Sequence, residues 1–504
     1  MGHPNRRRFV SNISTASTMA ALAGPNGWLR SAGANELQLP SGSVRFSDDV
    51  EPLVRWLETT PKEKVVAGFV EKIQSGIPYY RLLASVFLAG IRNVQPRPSV
   101  GFKFHTVLVV HAAHQASLAA SNRDRWLPLL WAADYFKRAQ DDDAKQGDWT
   151  MQSPASIEKQ SSASALRGLT EAFERWDVEA ADRYAVAAAR HCSHGQLLEL
   201  FAKYGCRDFR DIGHKAIYVA GAFRLLDTIG REHTEPIVRS LAFALLNHGT
   251  GANPSGRDLA PDRPGKENWE RSEKQSDAWM TSDVNGTHTQ AVLDSLREDS
   301  ESSICNSVHQ RMQRDTNWQS VYDALFVASS ELVLRQNGIV PLHAVTSTNA
   351  IHYLFRTVKE ERLQWWLLLQ NCAFVSLLRD AAKDRDKMRD IKIDTLTSNT
   401  DVPMPVELGA VFQNLGRDRD LASRQVYTYL QQSKSPDDLF ASARNHVFSK
   451  GNDSHDYKFS SAILEDYTNV SPAWRNLYLS GCAQMLHGDS APDTKLFQRV
   501  RELL

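Results

Sequence analysis

The chain has 504 residues, is 42% hydrophobic, and balances Lys+Arg against Asp+Glu at 59 each. That length and apolar content allow a large buried core. The charge balance excludes a basic nucleic-acid surface as the main business, and no apolar run approaches the roughly 20 residues of a membrane span.

The N-terminus differs in kind from the rest. Asn5-Arg6-Arg7-Arg8-Phe9-Val10-Ser11 resembles a twin-arginine export signal. A weakly apolar, Ala-rich stretch follows over 13–23, and Ala32-Gly33-Ala34 has the small-x-small form of a cleavage site. The expectation is a signal peptide over 1–34, a mature chain over 35–504, passage through the twin-arginine export machinery, and a periplasmic or extracellular location with no membrane span after processing. Cys192, Cys206, Cys305, Cys372 and Cys482 are odd in number and lack CxxC spacing, so neither a disulfide framework nor a thiolate zinc site is expected.

From there the chain reads as helix after helix. Apolar residues recur at three- and four-residue spacing over 65–91, 104–120, 126–140, 163–191, 196–204, 215–229, 236–246, 321–335, 363–379 and 457–467. Strand-like alternation is scarce and no repeat of 20 to 50 residues stands out. The fold class predicted is all-α, one multi-helical domain with a buried histidine-rich site between helices. Two stretches, 249–286 and 383–414, read as loops, the second opening with a charge run. A lid over a pocket is the sharper alternative for both.

Histidines fall where such a core could use them. His111 and His114 are three apart and share a helix face in a nearly all-apolar run. His105 is nine residues from His114, half a turn out of phase, so both face one site only if the helix starts after His105 or bends. His214 follows Gly213 at the start of a helix, and His343 follows Pro341-Leu342 among small residues. His455 and Lys458 share a helix face that Asp453 or Ser454 can cap. Each histidine taken singly could be a satisfied core residue, and Lys458 a surface cation. Taken together, imidazoles on separate helices make a metal site in a helical core, and a buried neutral lysine is reactive. No GxGxxG after a strand, P-loop, HExxH or nucleophile elbow occurs. Trp126, Trp131, Tyr135, Trp365 and Trp366 could stack on an aromatic ligand or simply fill the core.

Three segments, Gly213-His214-Lys-Ala-Ile-Tyr218, Leu342-His343-Ala-Val-Thr-Ser-Thr-Asn349 and His455-Asp-Tyr-Lys458, resemble the questin oxidase-like family. They occur in the order of that family's motifs, roughly HPLIHLGYA, LHGVTSAHAL and HVxKxxxAL. His111-Ala-Ala-His114-Gln-Ala-Ser-Leu is similar to its N-terminal motif, and His105 is the rival there. Tyr218 and Asn349 stand where the family motifs carry second histidines. The resemblance implies an oxidoreductase that uses dioxygen on an aromatic or quinone-like small molecule. It implies non-haem iron, with zinc as the alternative, held by His114 or His105, His214, His343, His455 and a carbamylated Lys458, the residue assigned a catalytic role. A metal hydrolase using the same carbamylated lysine, or a non-catalytic exported helical protein, are the readings from other classes.

Overall fold

The computed structural model describes residues 42–97, 103–154, 160–246, 253–385, 387–397, 402–432 and 435–504. The stretch 1–34 expected to be an export signal therefore lies outside the described residues. What is described forms a single all-α domain around one continuous hydrophobic core that runs from Val44 to Val500. Among the described residues there is no strand, only an isolated bridge between Ser43 and Gln152. All five cysteines are free thiols.

Three of the helices read from periodicity are broken, each for a local reason. The 65–91 run divides into Lys62–Gln74 and Tyr79–Asn93, because Gly76 takes φ +82 and Pro78 lacks an amide proton to continue the first helix. The 163–191 run divides into Ser162–Arg175 and Val178–His191. Trp176 closes the first half in the left-handed region, and the Asp177 carboxylate accepts the Ala180 amide at 2.9 Å to start the second. The 104–120 run divides at Val109 into His105–Leu108 and Val110–Ala119, within a β-branched stretch of Thr106, Val107, Val109 and Val110 that crowds a helical turn.

The two stretches read as loops are partly helical. Arg263–Arg271 and Ala278–Thr281 are helical within the first, and Leu408–Leu415 within the second. The first packs on the Glu361–Lys383 helix, where the Trp366 indole donates to the Gly265 carbonyl at 2.9 Å and Asn268 donates to Gln370 at 2.9 Å, both pairs buried. It is structural packing rather than a lid.

Four helices make the centre: Val110–Ala119, His214–Ile229, Ile339–Thr357 and Ser454–Asn469, with the Ile339–Thr357 helix touching both the His214 and the Ser454 helices. One glycine sets their spacing. Gly213, at φ +92, precedes His214, and a Cβ there would lie 2.5 Å from the Ser347 Cβ. Only glycine lets the start of the His214 helix approach the Ile339–Thr357 helix this closely, which brings His214 to His343.

Candidate metal centre

His105, His214, His343, His455 and Lys458 are all buried and come together where those helices meet the short His105–Leu108 turn. The ligand nitrogens of His105, His214 and His455 lie within 4.8 Å of one another. His214 Nε2 is 2.8 Å from His343 Nε2. The His343 and His455 ring centroids are 5.3 Å apart, and His105 is 4.8 Å from both His214 and His455 by the same measure. Adjacent nitrogen ligands with bonds of about 2.1 Å stand about 3 Å apart, and opposite ones about 4.2 Å. The cluster has nearly that size.

Two rings have their tautomer fixed from outside. His343 Nδ1 donates to the Ile339 carbonyl, one turn earlier, at 2.6 Å. His455 Nδ1 donates to Asp453 Oδ1 at 2.6 Å, while the same carboxylate oxygen caps the helix by accepting the His455 amide at 2.7 Å. In a neutral ring, a proton on Nδ1 leaves Nε2 bare. Both bare nitrogens belong to the cluster. A carboxylate or carbonyl behind an imidazole is the usual outer support of a metal-binding histidine.

Burial disfavours the charged form of His214, His343, His455 and Lys458. It pushes His214 and His343 well below the ordinary imidazole range, and the Lys458 charge adds to the effect on both. Burial also lowers His455, against the upward pull of its hydrogen bond to Asp453. Burial opposes the Asp453 carboxylate, but the hydrogen bonds from His455 more than offset this and hold its pKa at about 2. The Lys458 amine is lowered by burial to about 7. Among the described residues, His214 Nδ1, His455 Nε2 and Lys458 Nζ have no hydrogen-bond partner. A buried polar atom left in this state costs roughly 1–3 kcal/mol, and an ion would satisfy several at once. The donor set therefore fits a first-row divalent metal, for which imidazole is a common ligand.

His114 is not part of the cluster. Its Nδ1 lies 3.1 Å from the Tyr79 hydroxyl and its Nε2 3.3 Å from the Thr228 hydroxyl, so it is a bonded core histidine. The break at Val109 does not cancel the half-turn phase difference. His105 turns inward and His114 turns toward Tyr79. His111 Nε2 is 3.3 Å from the Arg224 guanidinium.

A small cavity of about 40 Å³ adjoins Lys458, lined also by His111, Arg224, Thr346 and Asn349. That is room for a few waters or a diatomic gas. The predicted aromatic platforms divide. Trp365 and Trp366 are core residues, Trp365 donating to His309 at 3.2 Å. Trp131 stacks on Tyr135 at 4.9 Å and lies 4.4 Å from Tyr457, in the first turn of the helix that carries His455 and Lys458.

Sequence reasoning missed two supports. The Ile339 carbonyl leaves no trace in residue type. Asp453 was legible as a cap, and its place two residues before a histidine was the available signal for its second role. No family model, no curated protein and no solved structure matches the chain.

Proposed function

We propose that the protein is an exported, metal-dependent oxidoreductase. It would hold non-haem iron and act with dioxygen on an aromatic or quinone-like small molecule. The observation that carries the metal-centre part is the convergence of four buried imidazoles and one buried lysine, two of the rings presenting Nε2 through their outer hydrogen bonds. His105, His214, His343 and His455 would hold the ion. Iron in such a site supplies oxygen activation and charge stabilisation for a bound enolate or phenolate.

The remaining chemistry belongs to the chain. With its pKa near 7, Lys458 has a substantial neutral fraction at physiological pH. Its nitrogen lone pair can add to carbon dioxide, forming the C–N bond of a carbamate while the ammonium proton passes to solvent. The product is an anionic oxygen donor among otherwise neutral ligands. The surrounding apolar helices exclude bulk water from the centre. The cavity beside Lys458 admits small gases as it stands, and an aromatic substrate needs it to widen. Ala112, Ala220, Gly221, Ala350 and Ala462 in its wall leave space for that movement.

Elemental analysis of protein isolated from its native compartment, followed by oxygen-electrode assays with a hydroxylated anthraquinone, tests the reading. Stoichiometric iron with substrate-dependent oxygen uptake supports it. Stoichiometric zinc with ester hydrolysis and no oxygen uptake would move the assignment to a hydrolase, and absence of any bound metal would end both enzyme readings. Export is tested separately: Arg6→Lys combined with Arg7→Lys is expected to retain the protein in the cytoplasm, and unchanged secretion overturns it.

A further inference from the structure

The charge run that begins near Lys383 has a use that the histidine cluster does not account for. It forms one wall of a cleft of about 650 Å³ at the start of the Ile339–Thr357 helix. That volume lies in the range of small-molecule binding sites. Six cations line it, Arg335, Arg385, Lys387, Arg389, Arg417 and Arg419, against two carboxylates, Asp418 and Asp420. In a chain whose cations and anions are equal in number, this is a strong local excess.

The carboxylates are committed. Asp420 accepts from Arg389 at 2.5 Å and from Gln484 at 2.9 Å, and Asp418 accepts the Leu421 amide at 2.9 Å. Arg385, Lys387, Arg417 and Arg419 have no ion-pair partner among the described residues. The walls are built rather than loose. The Arg389 amide donates to the Arg335 carbonyl at 2.9 Å and the Arg335 guanidinium returns a bond to the Arg389 carbonyl at 3.0 Å. Arg389 also donates to the Leu334 carbonyl, and Gln336 to the Ala382 carbonyl at 3.1 Å. Buried Gln484 accepts from Asn337 at 3.2 Å and donates to the Arg419 carbonyl at 3.0 Å, tying the third wall to the floor. The Ile339–Thr357 helix begins here with no side-chain cap, so the positive end of its dipole adds to an already cationic space.

We propose that this cleft binds a small, multiply charged anion, a polyphosphate or polycarboxylate group. Several guanidinium forks around one cavity suit planar or tetrahedral oxyanions through paired hydrogen bonds, which lone lysines on a flat surface do not offer. The site stands apart from the metal reading, since none of its six cations belongs to the histidine cluster.

Isothermal titration of the full chain with inorganic pyrophosphate and, separately, with citrate tests it. The expected result is one site per chain with a dissociation constant below about 1 mM at low ionic strength, weakening as salt rises. Arg417→Glu with Arg419→Glu should reduce affinity by about 100-fold, since each of the two lost charge-assisted bonds counts for roughly tenfold. Arg417→Gln with Arg419→Gln should fall between. Lys64→Glu with Arg123→Glu, on exposed surface elsewhere, should leave it unchanged, and thermal melts of each variant confirm folding. Pyrophosphate binding alone assigns a phosphate source, citrate alone a carboxylate source, and both the shared chemistry. Absence of one-site binding by either anion, or equal weakening in the control pair, overturns the proposal.

Discussion

The first turn of the Ile339–Thr357 helix separates two nitrogen-rich regions that behave in opposite ways. On its inner side, His343 joins His105, His214, His455 and Lys458, and burial disfavours the protonated form of His214, His343, His455 and Lys458. On its outer side, Arg385, Lys387, Arg417 and Arg419 stand in solvent at the cleft. The inner set offers lone pairs and suits a cation. The outer set offers N–H donors and positive charge and suits an anion. Side-chain type and desolvation together give the two regions contrary chemistry. Ile339 belongs to both, since its side chain lines the cleft and its carbonyl accepts the His343 proton.

The sharpest way to break the contrast is to remove an inner donor. Lys458→Ala is expected to abolish the proposed activity and lower bound metal together, and His343→Ala to weaken metal affinity by a factor of about 100 or more, an order-of-magnitude figure for the loss of one ligand bond. Metal content by mass spectrometry checks both, and added formate or acetate should partly restore the Lys458→Ala protein by standing in for the oxygen of the proposed carbamate. Full occupancy in both variants would show that the inner region holds no ion.

A smaller effect belongs to the outer support. Asp453→Asn keeps a capping oxygen but takes away the carboxylate behind His455. Metal affinity should weaken by roughly 10- to 100-fold, with little change in the apo-protein melt. Competition with a chelator measures the affinity. An unchanged value would reduce Asp453 to a helix cap.

His352 extends the comparison to a third environment on the same helix. It sits among Tyr322, Phe326 and Phe355, outside the cluster, and burial lowers its pKa from 6.5 to about 3. Because the folded value is depressed, the unfolded chain takes up a proton first as pH falls. Stability should therefore decline from about pH 6.5 toward pH 3, by at most about 1.4 kcal/mol per pH unit from this residue. Urea midpoints at pH 7.5, 5.5 and 4.5 should show a shallower decline for His352→Phe than for the parent. Equal slopes would mean that His352 is protonated in the folded state.

The least effect on metal is expected from His114→Ala. Removing its bonds to Tyr79 and Thr228 should cost about 1–3 kcal/mol in stability. Metal content should not change, and a loss would return His114 to the centre.

Much of the fold was legible because apolar spacing decides helices directly. What escaped were the breaks at Gly76, Val109 and Trp176, where left-handed residues and side-chain crowding interrupt a pattern that remains periodic on either side. The site was legible to a comparable depth. His214, His343, His455 and Lys458 were all named from sequence, as was His105 in competition with His114. The competition could not be settled there, because the outcome depends on where one short helix ends. The cleft was only a charge run in the sequence, since its other two walls come from helix ends tens of residues away.

His105 and His455 stand about 350 residues apart in the chain, yet their rings lie 4.8 Å apart. An ion shared between them would act as a clasp on a loop that includes most of the domain, and it could not be shared in a chain synthesised short of His455. Loading must follow the docking of the last helices. The clasp would then restrain the unfolded ensemble in the way a long-range crosslink does, so loss of the ion should quicken unfolding of both chain ends together rather than loosen one of them.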